Sequence, residues 1–196
     1  MTTATSREIL WRRRLDDLSF ELARFTRTPR GVVLSGTVLI AEEGAPLRVE
    51  YRISCDAEWW TRTVAIEQTW RGARQVVTLA HDGRGRWLRD GGVAPELAGC
   101  IDVDLGVTPS TNALPVNRLR LPIGGRGELL AAWVHFPQVD VTAARQGYER
   151  LGEARYRYSN VGSDFAAVLE VDGDGLPIDY EGIWKRVAEG PAAPEG

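Results

Sequence analysis

The chain has 196 residues and carries 24 Lys+Arg against 27 Asp+Glu, two His and two Cys. Its length, with 43% apolar and 26% charged residues, fits one folded domain and excludes wholesale disorder. No apolar run approaches the ~20 residues of a membrane helix, and the opening Met1-Thr2-Thr3-Ala4 has no basic region leading into an apolar stretch; no integral membrane segment and a cytoplasmic setting are expected.

In chain order, Ile9 to Arg14 and Leu18 to Phe25 read as two opening strands. Val32, Leu34, Gly36, Val38 and Ile40 then repeat at period two. Leu47, Val49, Tyr51, Ile53 and Cys55 repeat it again, alternating with Arg48, Glu50, Arg52, Ser54 and Asp56. Such alternation marks strands with one buried and one wet face. The Glu42-Glu43-Gly44-Ala45-Pro46 break between them marks a hairpin. Further strands are expected over Arg62 to Trp70, Ala73 to His81, Gly127 to Phe136, Ala154 to Ser159, Phe165 to Asp172 and Ile178 to Val187. The last two meet across Gly173-Asp174-Gly175, a turn signal. Val141 to Gly152 fits either a helix capped by Thr142 or a strand carrying Tyr148 and Arg150. Long helix-period stretches are otherwise almost absent, so the chain reads as an all-β sandwich, barrel or strongly curved sheet. Residues 1–189 form the single β domain, and Pro191 and Pro194 mark 190–196 as a loose tail.

The stretch from Trp87 to Pro122 breaks the rhythm. Gly91, Gly92, Pro95, Gly99, Pro109, Pro115 and Pro122 do not suit a regular ladder. A long non-repetitive insertion in a compact β domain is usually functional, because short turns suffice for connectivity. Extended backbone over 100–105 would place Asp102 and Asp104 on one face and Ile101, Val103 and Leu105 on the other. Thr108-Pro109 resembles a helix start, threonine capping and proline at the first helical position. Pro115 is then expected to limit that helix to about two turns.

The block Gly99-Cys100-Ile101-Asp102-Val103-Asp104-Leu105, followed by Thr108-Pro109-Ser110-Thr111-Asn112-Ala113-Leu114-Pro115, resembles the signature of a bacterial family, the "Putative glycolipid-binding" family. Further matching pieces are Asp56 ahead of Trp59-Trp60-Thr61-Arg62, Asp82-Gly83-Arg84-Gly85-Arg86-Trp87, Phe136-Pro137, Gln146-Gly147-Tyr148 and Asp172-Gly173-Asp174-Gly175-Leu176. The chain departs from the pattern at Ser110, where a bulky aromatic is expected, and at Asn117, where a basic residue is common. The resemblance implies a fold similar to the bacterial lipoprotein localisation factors. That fold is mainly β, a large antiparallel sheet curled into an incomplete barrel with a few short helices covering the open side. It also implies a small amphiphilic partner, a lipid or glycolipid, held in the hollow.

The residues themselves leave several chemistries open. Asp102 and Asp104 could serve as general acid and base, bind a hard cation, or cap backbone amides and pair with Arg118 and Arg120. His81 and His135 end strand-like runs without His-x-x-x-His spacing, so they read as edge or surface residues and no metal is expected. Ser110 lacks a Gly-x-Ser-x-Gly context, the glycine-rich turns lack phosphate-loop spacing, and no cofactor is implied. Cys55 and Cys100 read as buried thiols. All basic residues except Lys185 are arginine, but they are scattered and the net charge is -3, which argues against nucleic acid as a partner. In Arg155-Tyr156-Arg157-Tyr158 the tyrosines should point inward and the arginines outward.

Seven tryptophans against one methionine are the strongest compositional clue. Most should fill the core, while some could edge a cavity. Read as strand neighbours, Trp59 and Trp60 point to opposite faces, so one should line a pocket or rim. Arg62, on the face of Trp60, would then meet an anionic headgroup. The expected ligand contacts are Trp60, Arg62, Asp102, Asp104, Thr108, Asn112, Arg118, Trp133 and Tyr148, in a non-catalytic binding module. One alternative is an enzyme on a small polar substrate using Asp102 or Asp104 as acid or base. Another is a structural protein whose hollow is a packed core. An exposed edge strand in an unclosed barrel leaves room for a homodimer.

Overall fold

The structure is a computed structural model and describes residues 4–15 and 19–193. Among the described residues fifteen strands form one sheet: β1 Thr5–Arg13, β2 Phe20–Thr28, β3 Gly31–Glu42, β4 Ala45–Asp56, β5 Thr61–Trp70, β6 Ala73–His81, β7 Trp87–Arg89, β8 Gly92–Val93, β9 Asp102–Leu105, β10 Arg126–His135, β11 Asp140–Arg150, β12 Arg155–Asn160, β13 Ala166–Val171, β14 Pro177–Tyr180 and β15 Trp184–Pro191. The order runs β8-β7-β6-β5-β4-β3-β2-β1-β15-β14-β13-β12-β11-β10-β9, so β1 and β15 meet in the middle and β8 and β9 are the edges. The fold is mainly β, as expected, with one α-helix, α1 (Ala113–Leu119), and two 3-10 turns among the described residues.

Period-two patterning explains the strands. On β4, Leu47, Val49, Tyr51, Ile53 and Cys55 are buried while Arg48 and Arg52 are exposed. Tight turns set the registers: Glu43-Gly44, Arg71-Gly72 and Asp90-Gly91 each carry two positive φ values between paired residues. That is the two-residue turn whose twist matches the flanking strands. Val141 to Gly152 resolves as strand β11.

Four expectations need correction. The sheet is mixed, because β9 runs parallel to β10, with Asp102 opposite Ala131 and Asp104 opposite Trp133. The chain between them crosses over through α1, and such a connection returns a strand in parallel. Pro115 does not stop the helix. It lies in the first turn of α1, where a missing N–H costs nothing, and the helix ends at Arg120 in the left-handed region. Ile178 to Val187 is two strands, split by a turn through Gly182 at φ 73°. Finally, β15 continues to Pro191, pairing Gly190 with Glu8 and Pro191 with Arg7, so the ladder reaches past residue 189. Leu18 and residues 194–196 lie outside the described residues.

The two wings of the sheet approach through side chains rather than a shared ladder. Gln68 Nε2 donates to the Pro137 carbonyl at 2.5 Å, Arg89 to that of Val139 at 3.2 Å, and Trp87 Nε1 to that of Cys100 at 2.9 Å. The sheet thus curls without closing into a barrel. Much of its inside is filled: Trp11, Trp87, Leu97, Leu105, Leu114 and Leu169 are fully buried. Each such side chain contributes on the order of 1.5–3 kcal/mol. Ala113, Leu114, Pro115 and Val116 insert α1 as a plug. No described helix is long and apolar enough to cross a membrane.

Candidate functional site

The segment from Asp102 to Arg118 lies inside the curl, as an internal lid. The period-two pleat of β9 keeps Asp102 and Asp104 on one face, but their surroundings differ. Arg118 grips Asp102 with two nitrogens, Nη2 at 2.7 Å from Oδ2 and Nε at 3.0 Å from Oδ1. Burial raises the Asp102 carboxyl above its usual range, and Arg118 pulls it back. Asp104 has no such cation. It accepts Gln146 Nε2 at 2.6 Å and Thr111 Oγ1 at 3.1 Å, and burial holds its carboxyl up against those two bonds.

Asp104 faces a cavity of about 490 Å³ at one mouth of the curl. Its walls are Trp133 from β10, Tyr158 and Asn160 from β12, Tyr180 and Trp184 from β14 and β15, Leu105, Phe165 and Ile183, with Thr108 and Asn112 from the lid. Arg13, Leu15 and Ser163 complete the rim. Four of the nine expected contacts therefore converge here: Asp104, Thr108, Asn112 and Trp133. Tyr148 stands one step behind, its hydroxyl donating to Asn112 Oδ1 at 2.9 Å and its ring edge-on to Tyr158 at 5.4 Å. Burial pushes Tyr148, Tyr158 and Tyr180 above the ordinary phenol range.

Trp60, Arg62, Asp102 and Arg118 form a second group. The Arg118 guanidinium lies 5.4 Å from the Trp60 ring centroid, so it bridges Trp60 to Asp102. Arg62 donates to Asp56 Oδ2, with Nε at 2.9 Å, so its charge is already paired. Trp59 and Trp60 sit in the Asp56–Trp60 turn, not on a strand, with Trp59 at φ 68°. Trp59 is nonetheless buried, stacked on Phe25 with centroids 6.1 Å apart, and Trp60 is half-buried. His81 is not an edge or surface residue. It is 5% exposed beside Trp87, because its side chain takes the inward phase of β6. Both cysteines are free and buried, and burial raises the Cys55 thiol to about 12 and the Cys100 thiol to about 11. Among the described residues no group of three or more His, Cys, Asp or Glu is placed to hold a metal ion.

Glu21 was not anticipated. Fully buried, it meets the Tyr51 hydroxyl and lies 2.7 Å from Thr108 Oγ1. Thr108 Oγ1 and Tyr51 Oη are each 2.8 Å from Ser110 Oγ, and Thr108 Oγ1 accepts the Ser110 amide at 2.9 Å. Thr108 is the expected cap, with Pro109 first in the helix, but Pro109 itself takes the cap position of a 3-10 turn over Ser110–Asn112, and Thr108 sits one residue earlier, accepting the Ser110 amide. A signal for Glu21 existed: on β2 the acid occupies the inward phase with Ala23 and Phe25, while Phe20 and Leu22 point outward.

A family model described as "Putative glycolipid-binding" matches residues 8–186, which span both side-chain groups and nearly every strand. The chain belongs to that family. A crystal structure of a DUF1089 family protein from Pseudomonas aeruginosa is similar at 34% identity, covering 88% of this chain and 94% of that one, with a TM-score of 0.81. No curated protein sequence matches the chain significantly. Of the departures from the family pattern noted above, Asn117 donates to the Ala113 and Asp174 carbonyls, tying α1 to the Asp172–Gly175 turn. Ser110 leaves the room that the Tyr51 and Thr108 hydroxyls occupy.

Proposed function

We propose that the chain is a non-catalytic binding protein that takes one small amphiphile, glycolipid-like, into the cavity beside Asp104. The cavity itself carries this reading. At about 490 Å³ it falls within the roughly 300–1,000 Å³ of small-molecule sites, enough for a sugar headgroup or a short chain rather than a two-chain lipid. Trp133, Tyr158, Phe165 and Trp184 offer flat faces to a sugar ring or a chain. Each Asp104 oxygen keeps a second lone pair, and Asn112, which donates to the Pro109 carbonyl at 3.0 Å, keeps another N–H. Those groups suit a hydroxyl-bearing guest. The pairing of Asp102 with Arg118 favours this reading over one in which Asp102 serves as acid or base.

Native mass spectrometry of the purified protein is the test. An adduct that dissociates as an amphiphile is expected, and added n-octyl β-D-glucoside should shift the emission of Trp133 and Trp184. A bare chain mass together with unchanged emission would refute the reading.

A further inference from the structure

We infer that Glu21 is a positioning residue for the cavity wall, held as a neutral carboxylic acid that closes a ring of hydrogen bonds with Thr108, Ser110 and Tyr51. The number of available protons requires it. Four oxygen-to-oxygen contacts join Glu21 Oε1, Thr108 Oγ1, Ser110 Oγ and Tyr51 Oη in a closed quadrilateral. Each contact consumes one proton, and three hydroxyls supply only three. With an ionised Glu21, one contact would set lone pair against lone pair. A proton on Oε1 supplies the fourth: Glu21 donates to Thr108, Thr108 to Ser110, Ser110 to Tyr51, and Tyr51 back to Glu21.

The other carboxyl oxygen supports the same state. Glu21 Oε2 is buried without a partner. As part of a carboxylate it would hold charge in an apolar interior with nothing to compensate it, whereas the carbonyl of a neutral acid is far less costly there. The groups facing Glu21 are Tyr51 from β4 and the Thr108–Ser110 turn; its ladder neighbours Trp11 and Val38 are uncharged. Arg13 and Asp104 line the same cavity and are the ionisable groups from which its effect must be separated. Burial raises its pKa to about 7. Deprotonation near neutrality would then break the ring at Thr108, which lines the cavity.

This inference rests on the binding reading only for its effect on a guest. Glu21→Gln can place its NH2 at that corner, donating to both Thr108 and Tyr51, which then both donate to Ser110, so all four contacts keep a proton at every pH. The infrared difference between wild type and Glu21→Gln should show a protonated carboxyl carbonyl band at pH 6 that is gone at pH 8. Absence of that band at pH 6 overturns the inference. Binding of n-octyl β-D-glucoside, followed by tryptophan emission, should weaken by about tenfold between pH 6 and pH 8 in the wild type, if only the neutral form binds. The variant should bind equally at both. An equal fall in both proteins overturns the assignment to Glu21. If neither protein binds the glucoside at either pH, the binding reading fails, and the infrared band still decides the ring.

Discussion

Two aspartates two residues apart both have desolvated carboxyls, and they differ in what each meets. Asp102 is 1% exposed and Arg118 11% exposed, so removing either partner strands a buried charge. Asp102→Ala should therefore cost about 3–5 kcal/mol in urea unfolding. A loss below about 1 kcal/mol would mean that Arg118 finds water instead. Asp104 has only neutral partners, Gln146 and Thr111, and burial raises its carboxyl as it does that of Asp102. A folded-state pKa above the unfolded value contributes stability that is complete below the unfolded pKa and is lost as pH rises through the folded one. Asp104→Asn should remove that part of the decline between acid and neutral pH. Parallel stability profiles for wild type and variant would contradict this.

The strands follow from alternation and turn residues, because both are local. Gly31, at φ 143°, opens β3 where an added Cβ would lie 2.0 Å from the Cys55 carbonyl oxygen. Gly31→Ala should cost about 2 kcal/mol or more, since backbone on both sides must shift. Thermal unfolding of that variant at wild-type temperature would contradict it. At the end of α1, Arg120 holds φ 47°, a conformation glycine adopts without strain. Arg120→Gly trades about 1–2 kcal/mol of left-handed strain against roughly 0.5–1 kcal/mol of added unfolded-chain entropy, so urea unfolding should show a net gain of about 1 kcal/mol or less. Elements set by distant contacts were less legible. The split of Ile178 to Val187 at Gly182 lies within a mixed apolar and charged run that reads as one strand. The direction of β9 depends on a crossover whose return no local pattern shows. Pro115 falls in the first turn of α1 and not at its end because the α-helix starts at Ala113, a turn after Pro109.

For the whole molecule, the legible part of the site was the part contiguous in sequence. Asp104, Thr108 and Asn112 lie on one segment whose glycines and prolines mark it, and all three line the cavity. Tyr158, Tyr180, Trp184 and Phe165 join them only because β1 and β15 zip together in the centre of the sheet and bring the C-terminal strands around the lid. Glu21 and Tyr51 reach the lid from the other wing by the same curvature. Strand alternation, which would set Trp60 and Arg62 beside the cavity, does not hold in the Asp56–Trp60 turn. The central claim is that the space beside Asp104 accepts a guest. Amide and indole resonances recorded during titration with n-octyl β-D-glucoside test it most directly. Perturbations should be confined to Asp104, Thr108, Asn112, Trp133, Tyr158 and Trp184; resonances that stay fixed there, or that move only on the outer face of the sheet, would contradict it.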